Sequence, residues 1–95
     1  MATTVDEIKG VVLPILIRHG VTRAGLFGSS ARGELTASSD VDILVELELR
    51  LSLLDVIGIE QELEDALNRS VDLVEYAAIK PRIREAILAE EVRIL

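Results

Sequence analysis

Residues Gly28 to Val45 read GSSARGELTASSDVDILV, and this stretch decides the fold. A Gly-Ser turn follows the apolar run Ala24-Gly25-Leu26-Phe27, and two aspartates, Asp40 and Asp42, lead into Ile43-Leu44-Val45. Side chains alternate across a strand, so Asp40 and Asp42 share one face while Val41, Ile43 and Val45 share the other. Neighbouring carboxylates repel unless a cation sits between them. Two hard oxygen ligands beside a Gly-Ser turn suggest Mg²⁺ and a phosphate chain. Read without a metal, Asp40 is a solvated acid at a loop end. That reading is harder to hold for Asp42, because aspartate is disfavoured inside a strand between Val41 and Ile43.

Gly28-Ser29, then ten residues from Ser30 to Ser39, then Asp40-x-Asp42 resembles the signature of the DNA polymerase β-like nucleotidyltransferases. The detail GSSARG…SDVDILVE resembles the minimal nucleotidyltransferases called MNT domains. The likeness spans nearly the whole chain, including the helix before the motif and Val71-Asp72-Leu73-Val74 after it. Asp-x-Asp alone would carry little; the combined motif is specific. The resemblance implies that Asp40 and Asp42 bridge two Mg²⁺ ions. It assigns the third carboxylate to Asp72, beside the metal of the attacking hydroxyl, where it helps remove the proton. It implies that Gly28 and Ser29 hold the β- and γ-phosphates of ATP through backbone N–H groups and the serine hydroxyl. An ordinary tight turn is the plain alternative for that pair. Arg32 either adds positive charge near the phosphates or pairs with Glu34 or an aspartate.

Composition bounds the function. Ninety-five residues make one small domain, read here as a single unit over 1–95. Of these, 49% are hydrophobic, rich for a core of this size, so some apolar surface is expected at an interface. Phe27 and Tyr76 are the only aromatics, which leaves little with which to stack bases. The net charge of −7 repels polyanions and favours a basic protein partner over nucleic acid. There is no cysteine, hence no disulfide or zinc-finger pattern. No apolar run reaches membrane-spanning length and no signal peptide is visible, so the expected location is cytoplasmic. There is no GK[ST] P-loop. An EF-hand counted from Asp40 fails at Leu44 and Val45, where a ligand and a glycine are required.

Outward from the motif, Thr4-Val5-Asp6-Glu7 reads as a capping box. Val5, Ile8, Val11, Val12, Ile15 and Leu16 then recur at helical spacing, with Pro14 a potential kink and Gly20 the expected C-cap. His19 is read as a partner for the helix C-terminus. Val21–Phe27 reads as a strand, Ser30-Ala31-Arg32 as the start of a short helix, residues 34–39 as a polar loop, and Asp40 to about Glu48 as the second strand. Alternation through Leu47, Leu49, Leu51 and Leu53 allows that strand, or a loop, to continue. Ser52 resembles an N-cap. Leu53, Val56, Ile57, Leu63, Ala66 and Leu67 form one expected helical face, with Leu54 and Ile59 at its edge facing a partner, and Asn68 as C-cap. Val71–Glu75 is the third strand. Pro81 opens a last helix with Ile83, Ile87 and Leu88 as its stripe, and residues 92–95 can close as a short strand. The fold class is therefore α+β: a small mixed sheet of three to four strands with helices packed on it, a polymerase β-like nucleotidyltransferase core.

The resemblance implies a Mg²⁺-dependent transferase that moves AMP from ATP to a tyrosine hydroxyl of a HEPN-domain ribonuclease toxin, and so acts as an antitoxin. The rival from another class is a binding antitoxin that neutralises its partner by contact alone. A nucleotidyltransferase for small molecules such as aminoglycosides is disfavoured, because no acceptor-binding domain is visible. Nucleic-acid polymerisation is disfavoured by the charge.

Overall fold

The computed structural model describes residues 4–33, 35, 36, 39–47 and 51–95. Helix α1 (Val5–Arg18) begins on a complete capping box, in which Thr4 accepts from the Glu7 N–H and Glu7 reaches back to the Thr4 N–H. Pro14 lies inside it, and the helix runs on to Arg18. His19 is the C-cap; Gly20 follows with φ +80° and turns the chain into strand β1 (Val21–Phe27). Helix α2 (Gly28–Arg32) starts at once, so Gly28-Ser29 belongs to its first turn and is not a separate loop. Strand β2 is Val41–Leu47, and the expected extension through Glu48, Leu49 and Arg50 lies outside the described residues. Helix α3 (Leu53–Leu67) carries a second capping box, Ser52 with Asp55, and ends on Asn68 in the left-handed region. Strand β3 (Val71–Glu75), a 3₁₀ turn (Tyr76–Ala78), helix α4 (Pro81–Glu90) and the short strand β4 (Val92–Arg93) complete the order.

The sheet runs β3-β2-β1-β4. β1 is antiparallel to β2 and β4, whereas β2 and β3 are parallel. Two parallel neighbours need a crossover, and α3 supplies it. The strands have two differently covered faces. Val41, Ile43 and Val45 join Ala24, Leu26, Val71 and the inner residues of α1 and α3 in the main core. On the opposite face, Leu44, Tyr76 and Ile79 form a smaller cluster with Phe27, Val74, Ile87 and Leu88. The two-residue alternation around Asp42 therefore holds.

Two expectations for the helices need correction. Ile59 is 2% exposed and buries with Leu63 and Leu67, whereas Leu53 and Ile57, placed on the inner face, are 75% and 39% exposed. Leu54 is exposed as expected. Positions 53 and 57 lie one helical step behind the 59-63-67 stripe, and contact with the sheet selects the latter. Glu60 and Glu64 flank that stripe and serve the edge strand β3. Glu64 accepts from the Val71 N–H at 2.9 Å and Glu60 from the Leu73 N–H at 3.0 Å. These donors would otherwise offer an open sheet edge to another chain. In α4, Ile83 is exposed and no residue is fully buried. Among the described residues no helix is long and apolar enough to cross a membrane.

Candidate active site

The face carrying Asp42 is built by register. Phe27 on β1 stands opposite Asp42 on β2, and Asp42 stands opposite Asp72 on β3. Opposed residues project from the same side of a sheet. Phe27, Asp42 and Asp72 therefore form a row across three strands, with Gly28 and α2 beginning at its β1 end. Asp40 precedes β2 and is exposed; Asp42 is half-buried and Asp72 exposed. Burial, then the neighbouring carboxylates of Asp72 and Asp40, push the Asp42 carboxyl above its ordinary value. The three acids thus act on one spot. Among the described residues no three His, Asp or Glu side chains gather closely enough to cage a metal by themselves. The donor set still suits Mg²⁺, which takes one or two carboxylates and fills its remaining positions with water and phosphate oxygens.

Gly28 has φ +63°, and a Cβ built on it would stand 2.7 Å from Oδ2 of Asp42. Glycine here permits both the left-handed turn and the close approach of the carboxylate. The residue before α2, Phe27, caps it with no side-chain hydrogen bond. Nothing in the side chain of the capping residue competes for the N–H groups at this helix start. Ser29 is half-buried in that first turn. Arg32 extends to α4, where its guanidinium meets Glu90 at 3.2 Å. Glu90 is a partner that the sequence reading did not name; Glu34, one of the partners it did name, lies outside the described residues.

Two site residues escaped the sequence reading. Ser30, which the sequence marks only as the start of a short helix, is fully buried, and its Oγ accepts from the Asp42 N–H at 2.9 Å. It ties α2 to the strand that carries Asp42. Arg69 is 6% exposed and donates to the carbonyls of Thr36 and Ser39, the latter at 3.3 Å. It holds the approach to Asp40 from 30 residues away. Val41 N–H donates to the Ser70 carbonyl at 2.9 Å, which binds the same corner. The Gly-Ser-Ser run was the one available signal for Ser30; Arg69 had none.

Further along the same face, Tyr76 donates to the Glu91 carboxylate, and the Arg23 guanidinium lies 4.3 Å from the Tyr76 ring centre. Burial and then the Glu91 carboxylate push the Tyr76 hydroxyl up to about 12. A side chain at Gly25 would occupy the place of the Glu91 carboxylate. This cluster pins the segment after α4 to the sheet. His19, at the far end of α1, meets Glu62 of α3 at 2.8 Å and takes no part in the row of acids.

The nucleotidyltransferase domain family model matches residues 10–94. Protein adenylyltransferase MntA of Thermococcus cleftensis is 41% identical over 93 residues, covering 94% of each chain. A Methanocaldococcus jannaschii relative, provisionally named a protein adenylyltransferase, is 46% identical over 96% of this chain and 98% of its own. A solved structure described provisionally as a minimal nucleotidyltransferase superposes with a TM-score of 0.80 at 37% identity, over 94% of both chains. A complex of Shewanella oneidensis tri-AMPylated HEPN toxin with MNT antitoxin contains a chain that shares the fold, with a TM-score of 0.76 at 19% identity, over 97% of this chain and 72% of that one. With a matching family model and relatives of its own length, this chain belongs to the nucleotidyltransferase domain family and is a transferase of the minimal, MntA-like kind.

Proposed function

We propose that this protein transfers AMP from ATP to a tyrosine hydroxyl of a HEPN-domain toxin and so silences it. The row Phe27–Asp42–Asp72, built across three adjacent strands with Gly28 following at its β1 end, is the observation that carries the reading. Asp40 and Asp42 would hold Mg²⁺, which when bound neutralises charge on the reacting phosphates. The N–H groups at the start of α2 and the Ser29 hydroxyl hold the triphosphate tail. Asp72, two strands from Gly28, accepts the proton of the acceptor hydroxyl. The phenolic oxygen bonds to the α-phosphorus, the bond to pyrophosphate breaks, and an AMP ester remains on the partner. Relatives named protein adenylyltransferase support AMP as the transferred group and a protein as acceptor. The HEPN partner rests on solved complexes of fold relatives. A net charge of −7 and exposed Leu53, Leu54 and Ile17 agree with a protein partner.

The test mixes a HEPN-domain toxin with ATP, Mg²⁺ and either wild type or Asp72→Asn, then strips this protein away. Wild type should leave a toxin heavier by AMP and still inactive; Asp72→Asn should leave neither change. A toxin of unchanged mass that recovers full activity after both treatments would replace this reading with neutralisation by contact.

A further inference from the structure

Beside Asp72, the 3₁₀ turn and α4 leave an open cleft of about 310 Å³ against the sheet. Its walls include Phe27, Leu44, Val74, Ile79, Ile83 and Ile87. Among the described residues that line it, only Asp72 and Lys80 bring side chains that hydrogen-bond. We propose that this cleft seats the aromatic ring of the acceptor tyrosine and presents its hydroxyl to Asp72. The inference rests on the transfer reaction proposed above and adds to it a binding site and a basis for acceptor choice.

Three observations support it. The first is capacity. A cavity of about 150 Å³ accepts benzene, so this cleft has room for a phenol ring and its methylene. The second is polarity. The adenine edge carries several ring acceptors and an amino donor, and polar atoms buried against aliphatic walls without partners weaken binding. A phenol carries one polar atom, and Asp72 stands at the cleft to receive it. The third is order across the sheet. Gly28 follows Phe27, which pairs with Asp42, and Asp42 pairs with Asp72. Donor phosphates on the Gly28 side leave the Asp72 side for the attacking oxygen, and in-line displacement needs attacking and leaving oxygens on opposite sides of the phosphorus. The cleft continues from Asp72 under α4. A serine or threonine acceptor would leave its apolar walls unfilled. The site should therefore discriminate for aromatic hydroxyls.

The test uses this protein with isotope-labelled Val, Leu and Ile methyl groups and three probes: N-acetyl-tyrosinamide, N-acetyl-serinamide and adenosine. The tyrosine probe alone should shift the methyl signals of Val74, Ile83 and Ile87. Ile83 is 45% exposed, so I83D should keep the fold, which a thermal melt checks. I83D should weaken tyrosine-probe binding, and raise the KM for AMP transfer to it, by roughly tenfold, while calorimetry shows ATP affinity held. Adenosine shifting these methyls, or no shift with the tyrosine probe, overturns the proposal. An unchanged KM in I83D with active wild type overturns the cleft and keeps the transfer reaction. Tyrosine-probe shifts at these methyls with no AMP transfer by wild type to either the probe or the toxin support the cleft and overturn the transfer reaction.

Discussion

Replacing Gly28 by alanine tests whether the glycine serves the turn, the acid, or both. Gly28 and Gly20 both hold left-handed backbone, at φ +63° and +80°. They differ in what a Cβ would meet: at Gly20 nothing lies within 4 Å, whereas at Gly28 the Asp42 Oδ2 stands at 2.7 Å. Left-handed backbone costs an L-residue roughly 1–2 kcal/mol. For a domain of this length that corresponds to a fall in Tm of about 4–16 °C in G20A. G28A should melt over a similar range, because the crowded atom is the end of a side chain that can rotate away. Function should separate the two variants. The Asp42 carboxylate must retreat by several tenths of an ångström from a new Cβ, and a misplacement of about 1 Å in a catalytic array costs on the order of 100-fold. Transfer by G28A should therefore fall about 10- to 100-fold relative to G20A. The assay is transfer of label from α-labelled ATP to the partner with Mg²⁺, well below both melting temperatures. Equal transfer by the two variants would refute the claim that Gly28 makes room for the Asp42 carboxylate. A wild-type melt for both would refute the strain.

Two further variants probe the same corner. Asp42 has a raised folded pKa, so its charge opposes folding; stability is highest below the ordinary carboxyl value of 3.8 and is lost as pH rises through the folded value. D42N should therefore melt above wild type at neutral pH without metal, by a margin that shrinks as pH falls towards 3.8, while losing AMP transfer; a lower melt for D42N at neutral pH would contradict this. S30A leaves the Asp42 N–H without its Ser30 acceptor, which should cost about 1–2 kcal/mol and lower Tm by about 4–16 °C; an unchanged melt would show that the Ser30 contact adds no stability.

The sequence alone determined what neighbouring residues decide together. The Thr4–Glu7 capping box and the Ser52 N-cap are each local to a few residues, and both formed. Alternation over Val41–Val45 separated the Asp42 face from the core face because a strand offers only two sides, although the strand itself begins one residue after Asp40. Asn68 and Pro81 marked a helix end and a helix start by their own backbone preferences. The tertiary structure decided everything that requires two distant segments to meet. Helix α3 carries apolar residues on more than one stripe, and only its docking against the sheet turned Ile59 inward and left Leu53 out. Ser30 reaches Asp42 across 12 residues, Arg69 reaches Ser39 across 30, and Arg32 reaches Glu90 across 58. The row that sets Asp42 beside Asp72 depends on β2 and β3 pairing in parallel, an arrangement that needs the α3 crossover and is absent from either strand's own sequence. Local spacing encodes which face a residue takes; chain topology alone encodes what that face meets.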